Sequence, residues 1–268
     1  MSDASDQGRA YVEKMRAKGK SDGDIRQALT QAGWTEAHVT AALAAAAPAP
    51  PVDLHAAAAA GDVAAINAHF NHGGEINIAG PGGLPIHAAA AAGQLEAVKT
   101  LVKLGANLHA RGRDGMTPLH LAAEGGHAEV VLALLERRVD IDLREATQST
   151  ALHVAARAGQ LETMELLLEN GALIDAEDDH GMTPAQVAVK AGQLAAAQYL
   201  LECGSNAEQV DQLGQTLLHT AAKTGSADMV RMLLNRRVEL NHRDSHDRTP
   251  LAVATGEART VLEDYGAK

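Results

Sequence analysis

The stretch GMTPLHLAAEGGHAEVVLALLERRVDI, Gly115 to Ile141, carries apolar residues at helical spacing, yet Gly125 and Gly126 interrupt it. A glycine inside a helix costs roughly 0.5–1 kcal/mol relative to alanine. Two together in a continuous helix would be self-defeating. Two short helices with the glycines between them remove the conflict. Thr117 then stands where a hydroxyl can cap the first helix, and Pro118 takes the first helical position, where no amide partner is needed. Gly126 allows the left-handed backbone that ends this helix. Leu119, Ala122 and Ala123 give the first helix a narrow apolar face, and Val130, Val131, Leu134 and Leu135 give one to the second. Neither face can be buried by one helix pair alone.

The stretch recurs along the chain. GGLPIHAAAAAGQLEAVKTLVKLGANL holds His87, and QSTALHVAARAGQLETMELLLENGALI holds His153. GMTPAQVAVKAGQLAAAQYLLECGSNA places Gln186 at the matching position, and GQTLLHTAAKTGSADMVRMLLNRRVEL places His219 there. Together with His120, these markers recur every 33 residues or so. VDLHAAAAAGDVAAINAHFNHGGEINI forms an earlier copy around His55, and RTPLAVATGEARTVLEDYGAK a shortened last one. The pattern T-P-L-H-x-A-A-x-x-G at this period resembles the ankyrin repeat family, with seven copies from about Pro51 to Lys268. The resemblance implies an all-α solenoid of helix pairs joined by hairpin loops. It also implies that the recurrent histidines bond backbone between repeats. Equivalent side chains in a stack sit one repeat apart, so they cannot converge on one metal ion.

At the ends of most second helices the sequence places glycine: Gly73, Gly105, Gly171 and Gly204. Two copies read Arg138 and Arg237 instead, which predicts left-handed arginines. The terminal copies look adapted as caps. His69 and Phe70 replace paired leucines in the first, and Arg259, Glu263, Asp264 and Lys268 charge the last.

Ahead of the array, RAYVEKMRAKGKSDGDIRQALTQAGWTEAHVTAALAAA reads as three short helices within residues 1–46. Ser21 with Asp24 forms a start signal, and Thr35 offers a second cap. Tyr11, Val12, Met15, Ile25, Leu29, Trp34, Val39 and Leu43 form the expected core, with the single tryptophan at its centre. This segment is similar to UBA-like modules. Its loop reads Ala17-Lys18-Gly19-Lys20 where that family uses Met-Gly-Phe/Tyr. APAPPV, residues 47–52, is expected to be a stiff linker, and residues 53–268 the repeat domain.

Composition bounds the function. The formal net charge is −11, which argues against general attraction to nucleic acid or anionic membrane. The front segment balances its acids and bases, so the excess charge lies further on. Aromatics are only 2% of the chain, and abundant alanine suits close packing of thin layers better than one deep core. Cys203 is the single cysteine, which excludes an intramolecular disulfide or a cysteine-based zinc cluster. The first residues have no basic, apolar signal pattern, and a cytoplasmic location is expected.

No phosphate loop, H-E-x-x-H or G-x-S-x-G motif occurs. NHRDSHD, EDDHG and the GPGG of Gly80 to Gly83 fall at expected hairpin tips. The expected protein is therefore not an enzyme, carries no cofactor or metal, and binds another protein. In ankyrin arrays the hairpin tips and exposed side of the first helices form the concave binding face. Carried over by position, the tip residues are Arg111, Arg113, Asp114 and Met116, then Arg144, Glu145 and Thr147. They continue with Glu177, Asp179, His180 and Met182, then Gln212, Leu213 and Gln215, and end with Arg243, His246 and Arg248. An interaction protein is the leading reading, with a stoichiometric enzyme inhibitor or immunity protein and a ubiquitin-reading adaptor as alternatives. The front segment is also open to a role in docking or dimerisation.

Overall fold

The structure is a computed structural model that describes residues 4–46 and 53–268. The expected linker, 47–52, lies outside the described residues. These fall into two compact units that divide between Val52 and Asp53, and among them no β-strand occurs. Among the described residues, no helix is long and apolar enough to cross a membrane.

The front unit has three helices: α1 (Ala4–Ala17), α2 (Asp22–Gln31) and α3 (Glu36–Ala45). Ser21 and Asp24 cap α2 reciprocally. The Asp24 amide donates to Ser21 Oγ and the Ser21 amide to Asp24 Oδ2, both at 3.2 Å. Thr35 Oγ1 accepts the His38 amide at the start of α3. Val12, Ile25, Leu29, Val39, Ala42 and Ala46 are the buried core, while Tyr11, Met15, Trp34 and Leu43 pack around it. Trp34 is thus at the edge of the core and not its centre. Its ring lies over Gly8, where a Cβ would come within 2.6 Å of it. The flat indole covers α1 at the one point where that helix has no side chain.

The second unit stacks seven helix pairs. They are α4 (Leu54–Ala60) with α5 (Val63–Asn71), and α6 (Pro85–Ala91) with α7 (Leu95–Lys103). Next come α8 (Pro118–Gly125) with α9 (Ala128–Leu135), and α10 (Ala151–Ala158) with α11 (Leu161–Glu169). The stack ends with α12 (Pro184–Lys190) and α13 (Leu194–Glu202), α14 (Leu217–Thr224) and α15 (Ala227–Asn235), α16 (Pro250–Val253) and α17 (Gly256–Asp264). First helices pack on first helices and second on second along the stack.

Alanine sets the close approach. Ala89, Ala122, Ala155, Ala188 and Ala221 occupy one position in five successive first helices and are fully buried. Leu101, Leu134, Leu167, Leu200 and Leu233 form the matching fully buried row of the second helices. Each row member meets its copies in the neighbouring pairs, so burial is shared along the stack. The opening puzzle resolves at Gly126, whose φ of 70° ends α8 before α9 begins. A side chain there would also collide with Gln160, whose Oε1 would lie 2.4 Å from the added Cβ.

At the second-helix ends, Gly73, Gly105, Gly171 and Gly204 all have positive φ, and Arg138 and Arg237 share that conformation at 55° and 59°. Both arginines are exposed. The equivalent glycines have open space around the missing Cβ, so the cost at the arginines lies in the backbone itself. Arg138→Gly and Arg237→Gly are each expected to stabilise the array by about 1 kcal/mol, net of glycine's unfolded-state entropy. Urea midpoints of the single and double variants check this, and a lower midpoint in both singles would refute it.

Candidate functional site

Backbone hydrogen bonds run from one hairpin tip to the next along the array. At the hairpin tips, the Ala146 amide donates to Asp114 O, Asp179 to Thr147, Gln212 to His180 and Ser245 to Leu213, at 2.9–3.0 Å. Within each tip, one acid closes the turn. Glu145 Oε1 accepts the amides of Thr147 and Ser149, and Asp178 Oδ1 those of His180 and Met182. Asp211 Oδ1 serves Leu213 and Gln215, and Asp244 Oδ1 serves His246 and Arg248. Asp244 Oδ2 also receives Gln215 and the Arg248 guanidinium. The Arg248 hydrogen bond, before the turn amides, holds the Asp244 carboxyl well below the usual carboxylate range. Hydroxyl and amide donors at Thr147 and Ser149 outweigh burial and lower Glu145 too.

A second ladder runs beneath the tips through the recurrent imidazoles. The amides of Leu84, Thr117, Thr150 and Thr216 donate to Nδ1 of His87, His120, His153 and His219. An amide can only donate, so Nδ1 is bare and Nε2 carries the proton. Each Nε2 then donates to a carbonyl of the next repeat: Ala110, Ser149, Met182 and Arg248, at 2.9–3.2 Å. Gln186 keeps both roles. Its Oε1 accepts the Thr183 amide, and its Nε2 donates to Gln209 and Gln215 carbonyls. Thr117 stands at the N-cap as expected, in a capping box with His120, and its hydroxyl lies 2.8 Å from His120 Nδ1. The imidazole, three residues into the helix, satisfies the Thr117 amide at the helix start and a carbonyl of the next repeat together.

The tips carried over from the sequence divide by burial. Arg111, Arg113, Asp114, Thr147, Glu177, Asp179, His180, Gln212, Leu213, Arg243 and His246 are exposed, and Met116, Arg144 and Arg248 half-buried. Glu145, Met182 and Gln215 are at most 7% exposed, so they offer a partner far less surface than the other tips. Glu145 is buried by closing its turn, and Gln215 by bridging Asp244 to Lys223. Arg111 and Arg144 each donate to a carbonyl of the following tip, Arg144 O and Glu177 O, and so lie along the array.

Between tips and first helices lie two adjoining hollows. One, of about 410 Å³, is lined by His180, Met182, Lys190, Leu213, Thr220 and Lys223 among others. The other, of about 310 Å³, shares His180, Met182 and Lys190 and adds Thr147, Arg157 and Val187. Arg157, Lys190 and Lys223 occupy one position in three successive first helices. The tip list did not include these helix residues; their 33-residue register was readable, but burial was needed to show which helix face stays open. Asp178, Asp179 and His180 offer ligand atoms within 4.8 Å of one another. Asp178 Oδ1 is already engaged with turn amides, and His180 Nδ1 lies 2.5 Å from Asp179 Oδ1.

The family model described as Ankyrin repeats (3 copies) matches residues 54–145 and 138–211, and that described as Ankyrin repeats (many copies) matches 200–254. No curated protein matches the chain. The crystal structure of the human ASB11 ankyrin repeat domain is similar to it, with a TM-score of 0.74 and 27% identity over 81% of this chain and 99% of that one. The ankyrin repeat domain of Bcl-3, a unique member of the IkappaB protein family, is similar at a TM-score of 0.68 and 33% identity, over 79% and 98%. Family models spanning most of the array, together with stacked pairs and imidazole ladders, lead to one conclusion: the chain belongs to the ankyrin repeat family.

Proposed function

We propose that this chain is a non-enzymatic interaction protein that holds another protein against the concave side of its array. The observation that carries this reading is the pair of adjoining hollows between exposed tips and first helices. The non-enzymatic part draws support from the histidines. Both nitrogens of His87, His120, His153 and His219 are committed to fixed hydrogen bonds, which leaves no free base there. The front unit, with its resemblance to UBA-like modules, supplies a second attachment in this reading.

The reading is tested by capture from source-cell lysate with immobilised full-length chain. Wild type is compared with a groove variant, Lys190→Glu with Leu213→Asp, and an outer-face variant, Glu162→Lys with Glu165→Lys. These four positions are exposed, so stability should change by less than about 0.5 kcal/mol per site. A specific partner should be lost from the groove variant and kept by the outer-face variant. Equal capture by all three would overturn the concave assignment.

A further inference from the structure

We infer that the concave groove takes an extended acidic polypeptide segment, in which two carboxylates three residues apart pair with Lys190 and Lys223. This deepens the interaction reading above and rests on it.

The charge distribution sets the sign of the partner. The chain is strongly acidic, and its outer helices present exposed Glu96, Glu129, Glu162 and Asp228 at one repeating position. The groove reverses that sign with Arg157, Lys190 and Lys223. Arg157 already meets Glu124 at 3.2 Å. The two lysines have no carboxylate partner among the described residues. Lys190 Nζ lies 3.9 Å from Met182 Sδ, and Lys223 Nζ donates to the neutral Gln215 Oε1 at 2.5 Å. The acids on the groove wall, Asp178 and Asp211, are engaged with turn amides through Oδ1. An acidic ligand is thus repelled by the outer face and met by two unpaired cations inside.

Spacing sets the conformation. Helices packed side by side lie about 8–10 Å apart. A polyproline II segment rises about 3.1 Å per residue with three residues per turn, so positions i and i+3 share a face roughly 9 Å apart. A β-strand would point i and i+3 to opposite sides. The apolar wall formed by Val187 and Leu213 then receives the side chains between the two acids.

The test is fluorescence anisotropy with full-length chain and labelled nine-residue proline-rich peptides. One carries two glutamates three positions apart, one carries glutamines in their place, and one has the glutamates two positions apart. The first should bind roughly tenfold more tightly than the glutamine peptide, the scale of two partly exposed ion pairs. Lys190→Gln with Lys223→Gln should abolish that difference while leaving the glutamine peptide's affinity unchanged. Equal binding of the glutamate and glutamine peptides, indifference to the lysine variant, or no binding at millimolar concentration would overturn the acidic partner. Equal binding of the two glutamate isomers would overturn the polyproline register. If these arms fail while groove-dependent capture from lysate persists, the interaction reading stands and the acidic partner alone is refuted.

Discussion

Replacing His153 with alanine is expected to destabilise the array by roughly 4 kcal/mol, whereas His153→Gln should cost about 1 kcal/mol. His153 is 1% exposed. Its Nδ1 accepts the Thr150 amide at 3.2 Å, and its Nε2 donates to Met182 O at 3.0 Å in the next repeat. Alanine strands a buried donor and a buried acceptor, each at about 1–3 kcal/mol, and leaves a cavity besides. Glutamine can restore both bonds, as Gln186 does one repeat on. Urea unfolding of the three proteins gives the comparison. Equal losses for alanine and glutamine would mean that imidazole shape, not the donor–acceptor pair, matters at this position. Because a repeat array need not unfold in one step, fluorescence and circular dichroism should be followed together.

The second large effect is on pH dependence. Burial pushes His87, His120, His153 and His219 below the ordinary histidine value, with carbonyl hydrogen bonds opposing it only in part. The folded array therefore keeps these rings neutral at a pH where the unfolded chain already binds protons, from about 6.5 downward. The unfolded state binds more protons in that window, so stability is complete above it and falls as pH drops through it. Each ring contributes a slope of up to about 1.4 kcal/mol per pH unit, and all four act in the same direction. The bare Nδ1 adds to the cost of charging the buried ring. Protonation there replaces an acceptor with a second donor facing the capping amide. Asp24, Glu145 and Asp244 are lowered as well, but their losses begin only near the ordinary carboxylate range. Urea midpoints at pH 7.5, 6.5 and 5.5 check the prediction. A variant with glutamine at all four positions should show a nearly flat profile over that window. A wild-type profile equally flat would show that the buried rings do not control acid stability.

The helix pairs were legible in the sequence because their signals are local. Gly126, Pro118 and the alanine and leucine rows act through backbone preference and 33-residue register, which need no coordinates. The left-handed Arg138 and Arg237 followed from the same register. The core of the front unit was legible in membership but not in arrangement. Hydrophobicity selects Trp34 for burial, while only tertiary packing reveals that Gly8 leaves it a flat resting place at the edge. The tips show the same division more sharply. Sequence position identified them, but could not distinguish exposed Arg113 and Leu213 from buried Glu145 and Gln215, since all four are tip residues in one register. Burial there depends on whether a side chain turns inward to satisfy turn amides or the neighbouring repeat. The groove was likewise a tertiary result. Arg157, Lys190 and Lys223 are far apart in the chain and share a surface only when successive first helices stack. Periodicity alone determined the repeating unit; stacking decided which polar groups are used up between units and which remain open to a partner.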